Sequence, residues 1–194
     1  MLRIASCIAA LAVATALTPA LAAAKTVKAE VTEPVLEELM GGCSLACAFP
    51  WSVETARKGA KRKAVPQLSD ESATKPWVEA AAGARLNFVL PAKLPAHLER
   101  TPVYGFNMIN GYWADEEKWE RHARVKRARI LYNGKPLADI AFADTRRWQE
   151  VFFGDIYIRS GDRLEMEILE IYPGSGAKER GLVAIAEISL QGAH

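Results

Sequence analysis

Polar and apolar residues alternate with a period of two over much of the second half of the chain. The clearest run is Asp162 to Ile168, with Leu164, Met166 and Ile168 on one side and Glu165 and Glu167 on the other, which predicts a half-buried strand. Arg124 to Tyr132 alternates in the same way, and the Asn133-Gly134 that follows is a strong short-range signal for a tight hairpin. The returning strand places Ala138, Ile140 and Phe142 on one face. Arg85 to Leu90 reads as a strand stopped by Pro91, and the proline-rich stretch to Pro102 reads as loop. Val103 to Ile109 and Leu182 to Leu190 supply two further apolar strands. Ahead of these, Lys25 to Pro34 alternates weakly and predicts an edge strand. Pro34 to Met40, with proline at its start and Gly41-Gly42 beyond its end, predicts a short N-terminal helical segment. Asp115 to Arg121 is the one helical candidate among the strands and predicts a single turn within a loop. Short strands, frequent turn signals and almost no helix predict an all-β fold, an antiparallel β-sandwich spanning residues 49–194.

Composition narrows the class. Half of the 194 residues are hydrophobic, which is ample to build a core and excludes a disordered chain. The formal net charge of +2 is too small for the electrostatic footprint of a nucleic-acid binder, so no nucleic acid is expected as a partner. Arg57 to Lys63 holds five basic residues in seven. This segment reads as a solvated loop or edge strand, with an anionic partner as the alternative.

The first 22 residues read as an address. Arg3 gives a positive start, Ile4 to Leu17 is an apolar run, and Ala20-Leu21-Ala22 is the small-x-small pattern of a cleavage site. Cleavage is expected after Ala22, with Ala24 as the alternative. The run is shorter than the roughly 20 residues needed to cross a bilayer, so a signal peptide is expected over a membrane anchor. Ile4-Ala5-Ser6-Cys7 has the look of an acylation box, but its hydrophobic run follows the cysteine instead of preceding it. Removing residues 1–22 takes away Arg3 and lowers the formal charge from +2 to +1. An exported chain, periplasmic or secreted and without a membrane span, is the expectation.

Export changes how Cys43 and Cys47 are read, in the segment from residue 23 to 48. In an oxidising compartment such a close pair predicts a local disulfide, with a free or redox-active pair as the alternative. The three histidines, His97, His122 and His194, are scattered without ligand spacing and supply no metal site with them. There is no G-x-S-x-G and no H-E-x-x-H. The glycines of Tyr172-Pro-Gly-Ser-Gly176 lack phosphate-loop spacing and read as a turn. No enzyme is expected.

Several residues occur in a recognisable order. Asn107-Met-Ile-Asn110-Gly111-Tyr112, then Trp119, then Arg124-Val125-Lys126, resemble the core of the NADase-type glycan-binding domain. Asp144 with Gln149, Ile171-Tyr172-Pro173-Gly174, and Ile185-Ala-Glu187-Ile188 continue the resemblance. Upstream, Ser69-Asp70, Thr74 and Pro76-Trp77-Val78-Glu79 resemble its early aspartate–threonine–tryptophan loop. Cys43, Cys47 and Phe49-Pro50-Trp51 resemble the start of bacterial members. The likeness runs roughly from Phe49 to Gln191. It departs at His122-Ala123, where the family usually has asparagine, and before Glu187, where the usual aspartate is missing.

The resemblance implies a jelly-roll sandwich like that of galactose-binding and discoidin domains, with a non-catalytic carbohydrate-binding role. Domains of this kind occur attached to a NAD glycohydrolase, an activity not expected to come with the resemblance here. The expected partner is a glycan or cell-envelope component, with a protein partner as the alternative. Sugar sites need aromatic rings for stacking and planar polar groups for hydroxyls, and Asn110, Tyr112, Trp113, Trp119 and Arg124 gather both in one loop and its flanks. Tyr112 and Trp119 have burial beneath the loop as their alternative. Arg124 and Lys126 share a strand face, which either meets an acidic sugar or pairs with Asp144. No cofactor is required, but related sandwiches hold a structural calcium, for which the resemblance nominates Asp70, Thr74 and Glu187. An Asx turn at Asp70 with an outward Glu187 is the alternative.

Overall fold

The computed structural model describes residues 24–32, 51–56, 61–70, 72–81, 83–90, 93 and 102–192. The signal peptide expected at 1–22, the helix expected at 34–40 and the disulfide expected between Cys43 and Cys47 all lie outside the described residues, as does 57–60 of the basic segment. Within them the chain forms twelve strands. They are β1 (Lys25–Lys28), β2 (Glu30–Thr32), β3 (Ser52–Ala56), β4 (Lys63–Ala64), β5 (Trp77–Ala80) and β6 (Arg85–Val89), followed by β7 (Pro102–Asn110), β8 (Arg124–Tyr132), β9 (Lys135–Ala141), β10 (Trp148–Tyr157), β11 (Leu164–Tyr172) and β12 (Leu182–Gly192). One α-helix, α1 (Glu116–Arg121), joins β7 to β8, and a single 3-10 turn (Pro66–Leu68) lies between β4 and β5.

The strands make two sheets, ordered β1-β9-β8-β11-β6-β3-β4 and β2-β10-β7-β12-β5. Every pairing is antiparallel except the parallel edge pair β1–β9. The fold is an antiparallel β-sandwich, as the alternation predicts. Leu164, Met166 and Ile168 turn into the core with Ala138, Ile140 and Phe142. The Phe106 ring sits at the centre, 6.2–6.4 Å from the rings of Phe88, Phe142 and Phe153. Asn133 and Gly134 both take positive φ, 51° and 77°, in the tight turn between β8 and β9.

Two differences from the expectations above, and one strand that the sequence pattern does not announce, have physical causes. The single edge strand expected over 25–34 is two short strands, one at the edge of each sheet, so this segment bridges the sandwich. The turn expected at 115–121 is a six-residue helix. Asp115 caps it by accepting from Lys118 N, and its salt bridge to Lys118 Nζ spans 3.1 Å. Strand β10 has no clean alternation because its register against β7 shifts between Phe152 and Ile156, around Gly154. In the basic segment, Lys61, Arg62 and Lys63 are exposed and the chain forms the edge strand β4. Among the described residues, no helix is long and apolar enough to cross a membrane.

Candidate functional site

One end of the sandwich is stitched together by polar contacts between the two sheets. The Asn110 amide, at the end of β7, donates from Nδ2 to Val125 O at 2.8 Å and accepts from Val125 N at Oδ1 at 2.9 Å. Ala123 N donates to Leu182 O, Ala184 N to Ala123 O, and Gly111 N to Ala184 O. The end of β7, the start of β8 and the start of β12 are thereby fixed to one another. Loops anchored to such a rigid end are where sandwiches place binding residues.

Helix α1 and the turn before β12 rise from this base. Ser175 N donates to Glu120 O, Gly176 N to Arg121 O, and Ser175 Oγ to Glu120 O, so the turn satisfies carbonyls at the end of the helix. A Cβ at Gly174 would collide with Arg121 O, a clash only glycine avoids. Arg121 reaches across to Glu179 at 2.9 Å. Between helix and turn lies a cleft of about 440 Å³, lined by Trp119, Glu120, Arg124, Pro173, Gly174, Ser175 and Arg180.

Arg124 is the floor of this cleft and is nearly fully buried. Its Nε and Nη2 donate to both oxygens of Asp144 at 2.9 and 2.8 Å, and Nη1 donates to His122 O at 2.7 Å. Its guanidinium lies 4.3 Å from the centre of the Trp119 ring. The Trp119 indole N–H donates to Asn110 O at 3.0 Å. Of the two uses foreseen for Arg124, pairing with Asp144 is the one its geometry has.

The remaining nominated residues are dispersed. Tyr112 packs on His122, with ring centres 4.7 Å apart, and Lys118 Nζ is 5.7 Å from its ring centre. Trp113 leans on a separate small cluster of Ile109, Trp148 and Ala186, and its carbonyl accepts from Arg146. Lys126 is exposed and pairs with Glu170 at 3.3 Å. Trp119 and Arg124 thus meet in the cleft, Asn110 is buried behind them in the fold, and Trp113 and Lys126 stand elsewhere. Glu120, Ser175 and Arg180 are cleft residues that no sequence pattern points to, because the turn around Ser175 shows no ligand spacing until α1 is set against it.

The loop around Asp70 does meet the last strand, since Ala73 packs on the cluster formed by Ile109, Trp148 and Ala186. Asp70 is exposed and its Oδ1 accepts from Ser72 N at 3.0 Å, as in an Asx turn, while Thr74 Oγ1 and Ser72 Oγ share a hydrogen bond of 2.9 Å. Glu187 is not outward in solvent: it is buried on β12 opposite Ile109, 5% exposed. Among the described residues, no three His, Cys, Asp or Glu side chains gather around a point.

No match to this sequence is found among curated proteins. A family model does match, over residues 45–191, described as the NAD glycohydrolase translocation F5/8 type C domain. That span contains the cleft, the polar stitching behind it and ten of the twelve strands. Matched over most of its length and folded as the β-sandwich of such discoidin-like domains, the chain belongs to the NAD glycohydrolase translocation F5/8 type C domain family.

Proposed function

We propose that the protein is an exported, non-catalytic carbohydrate-binding module whose site is the cleft between α1 and the turn before β12. The observation that carries this reading is the composition of that cleft: an indole ring, a carboxylate, a hydroxyl and a guanidinium around about 440 Å³. This is the mixture that suits a sugar, which presents apolar faces for stacking and hydroxyls for planar polar partners. The volume falls within the range of small-ligand sites, roughly 300–1,000 Å³. Glu120 and Arg180 are exposed at its rim, where they accept and donate respectively.

The test is a glycan array probed with the protein and its variants. Trp119→Ala is expected to weaken binding at least tenfold, and Arg180→Ala to weaken it without lowering Tm, since that side chain is exposed. Trp113→Ala, outside the cleft, is expected to leave affinity unchanged. A blank array from folded protein overturns the reading.

A second reading, a protein-interaction module of the cell envelope, has one observation in its favour. Tyr104 and Phe152 stack with ring centres 6.1 Å apart at 18°, and Phe152 is 44% exposed. With the 52%-exposed Tyr157 further along the same strand, this places aromatic surface away from the cleft. Glutamate substitution of Phe152 that removes a partner while sparing glycan binding would favour it.

A further inference from the structure

The outer face of the seven-stranded sheet carries a buried amide with nothing to bond among the described residues. On β6, Leu86 and Phe88 turn into the core, so Asn87 between them faces the other way. It is nevertheless only 4% exposed, and neither its Oδ1 nor its Nδ2 makes a hydrogen bond to a described residue. Buried amides are nearly always satisfied, so an orphaned pair of atoms calls for a missing partner.

The neighbours of Asn87 indicate what that partner is. Glu54 on β3 and Glu165 on β11 lie directly opposite it, one on each side. Cross-strand neighbours bring their Cβ atoms to about 5 Å, so both carboxylates are within reach of the amide without bonding it. Arg85, the cation on the same strand, is taken by Glu167 at 2.7 Å. Glu54 has only a 4.0 Å contact with Arg62, and Glu165 has no ion pair among the described residues. Two acidic side chains therefore flank a neutral, unsatisfied amide with little positive charge to balance them.

We propose that Glu54, Asn87 and Glu165 form a binding site for a hard divalent cation, with calcium the best fit. All three offer oxygen, the ligand calcium takes, and water completes its six to eight positions. Asn87 Oδ1 turns to the ion while Nδ2 donates to a carboxylate oxygen, so one event satisfies both orphaned atoms and neutralises the two charges. Magnesium fits less well, because it demands a near-ideal octahedron and gives up its waters reluctantly. With two charged ligands, the affinity belongs with the weak calcium sites of extracellular modules, about 10⁻⁴–10⁻³ M. This site is on the sheet opposite the one that the Asp70 loop packs against.

Calorimetric titration of the full chain with calcium chloride, paired with Tm measured in calcium and in chelator, tests the proposal. Calcium is expected to bind and to raise Tm by several degrees. Glu165→Gln and Glu54→Gln are each expected to weaken binding at least tenfold, and Asn87→Asp, which adds a charge at nearly constant volume, to tighten it. Asp70→Asn is expected to change nothing. Absence of binding to folded protein overturns the site. So does binding that survives both glutamine variants, or binding lost in Asp70→Asn.

Discussion

At the scale of single residues, the end of the sandwich that carries the cleft depends on side chains spent on the backbone. Asn110 has both its amide atoms on Val125, in the facing sheet. Asn110→Ala removes two hydrogen bonds and strands two buried backbone groups, so a loss of about 2–3 kcal/mol is expected, read from chemical denaturation. Asn110 stands in the sequence as a polar residue beside aromatics, the pattern of a sugar contact, and only the pairing of sheets shows what its amide is used for. Gly174 shows the reverse. Its place in a turn is legible from Pro173 and Gly176, but its contact with Arg121 O is not, because the two lie far apart in the chain. Gly174→Ala is expected to push the turn off α1 and abolish glycan binding on the array, while the core stays folded by circular dichroism.

At the scale of elements, β8, β9 and β11 were legible by alternation and β7 and β12 as apolar runs, although register shifts occur in the pairing of β8 with β9 and β11 and of β7 with β12, whereas β10 was not legible. β8, β9 and β11 keep a period of two long enough to read, and the turn between β8 and β9 announces itself in Asn133-Gly134. Gly134 has φ of +77° and nothing within 4 Å of the place a side-chain carbon would take, so Gly134→Ala carries backbone strain alone. About 1 kcal/mol of lost stability is expected in denaturant titration. The far side of that hairpin is held by Asp162, which accepts from the Tyr132 hydroxyl, Asn133 Nδ2 and Arg159 N. Burial and the hydrogen bond to Asp162 together push the pKa of the Tyr132 hydroxyl up to about 12, so it stays protonated and donating throughout the neutral range. β10 offers neither signal cleanly, because Gly154-Asp155 interrupts its apolar run at the place where its register against β7 shifts.

At the scale of the whole molecule, the outer face of the larger sheet is a network of charges whose balance sets the response to acid. Asp139 receives Arg129 Nε at 2.6 Å and Arg127 at 3.6 Å. The hydrogen bonds from Arg129 outweigh the effect of burial and, with the positive charge of Arg129 and Arg127, hold the Asp139 carboxyl below its ordinary value. The fold therefore favours the charged form. Its stabilisation is complete above the unfolded value, near pH 4, and is lost as pH falls through the lowered folded value. Tm measured from pH 7 to pH 2 is expected to fall below about pH 4. Asp139→Asn is expected to lower Tm at neutral pH and to flatten that acid limb.

Alternation, turn residues and an ample apolar fraction determined the all-β sandwich by themselves, because a strand with one buried face writes its period into the local sequence. The order of Asn107, Trp119, Arg124 and Glu187 was enough to point to the family, since such order survives without coordinates. What the tertiary structure decided was which of those groups meet. Trp119 and Arg124 come to one cleft with Ser175 and Arg180, while Trp113 and Lys126 face other surfaces. The physical reason is that sheet pairing brings together residues far apart in the chain. Whether a polar side chain binds a ligand or a backbone depends on those distant neighbours, and no local pattern records them.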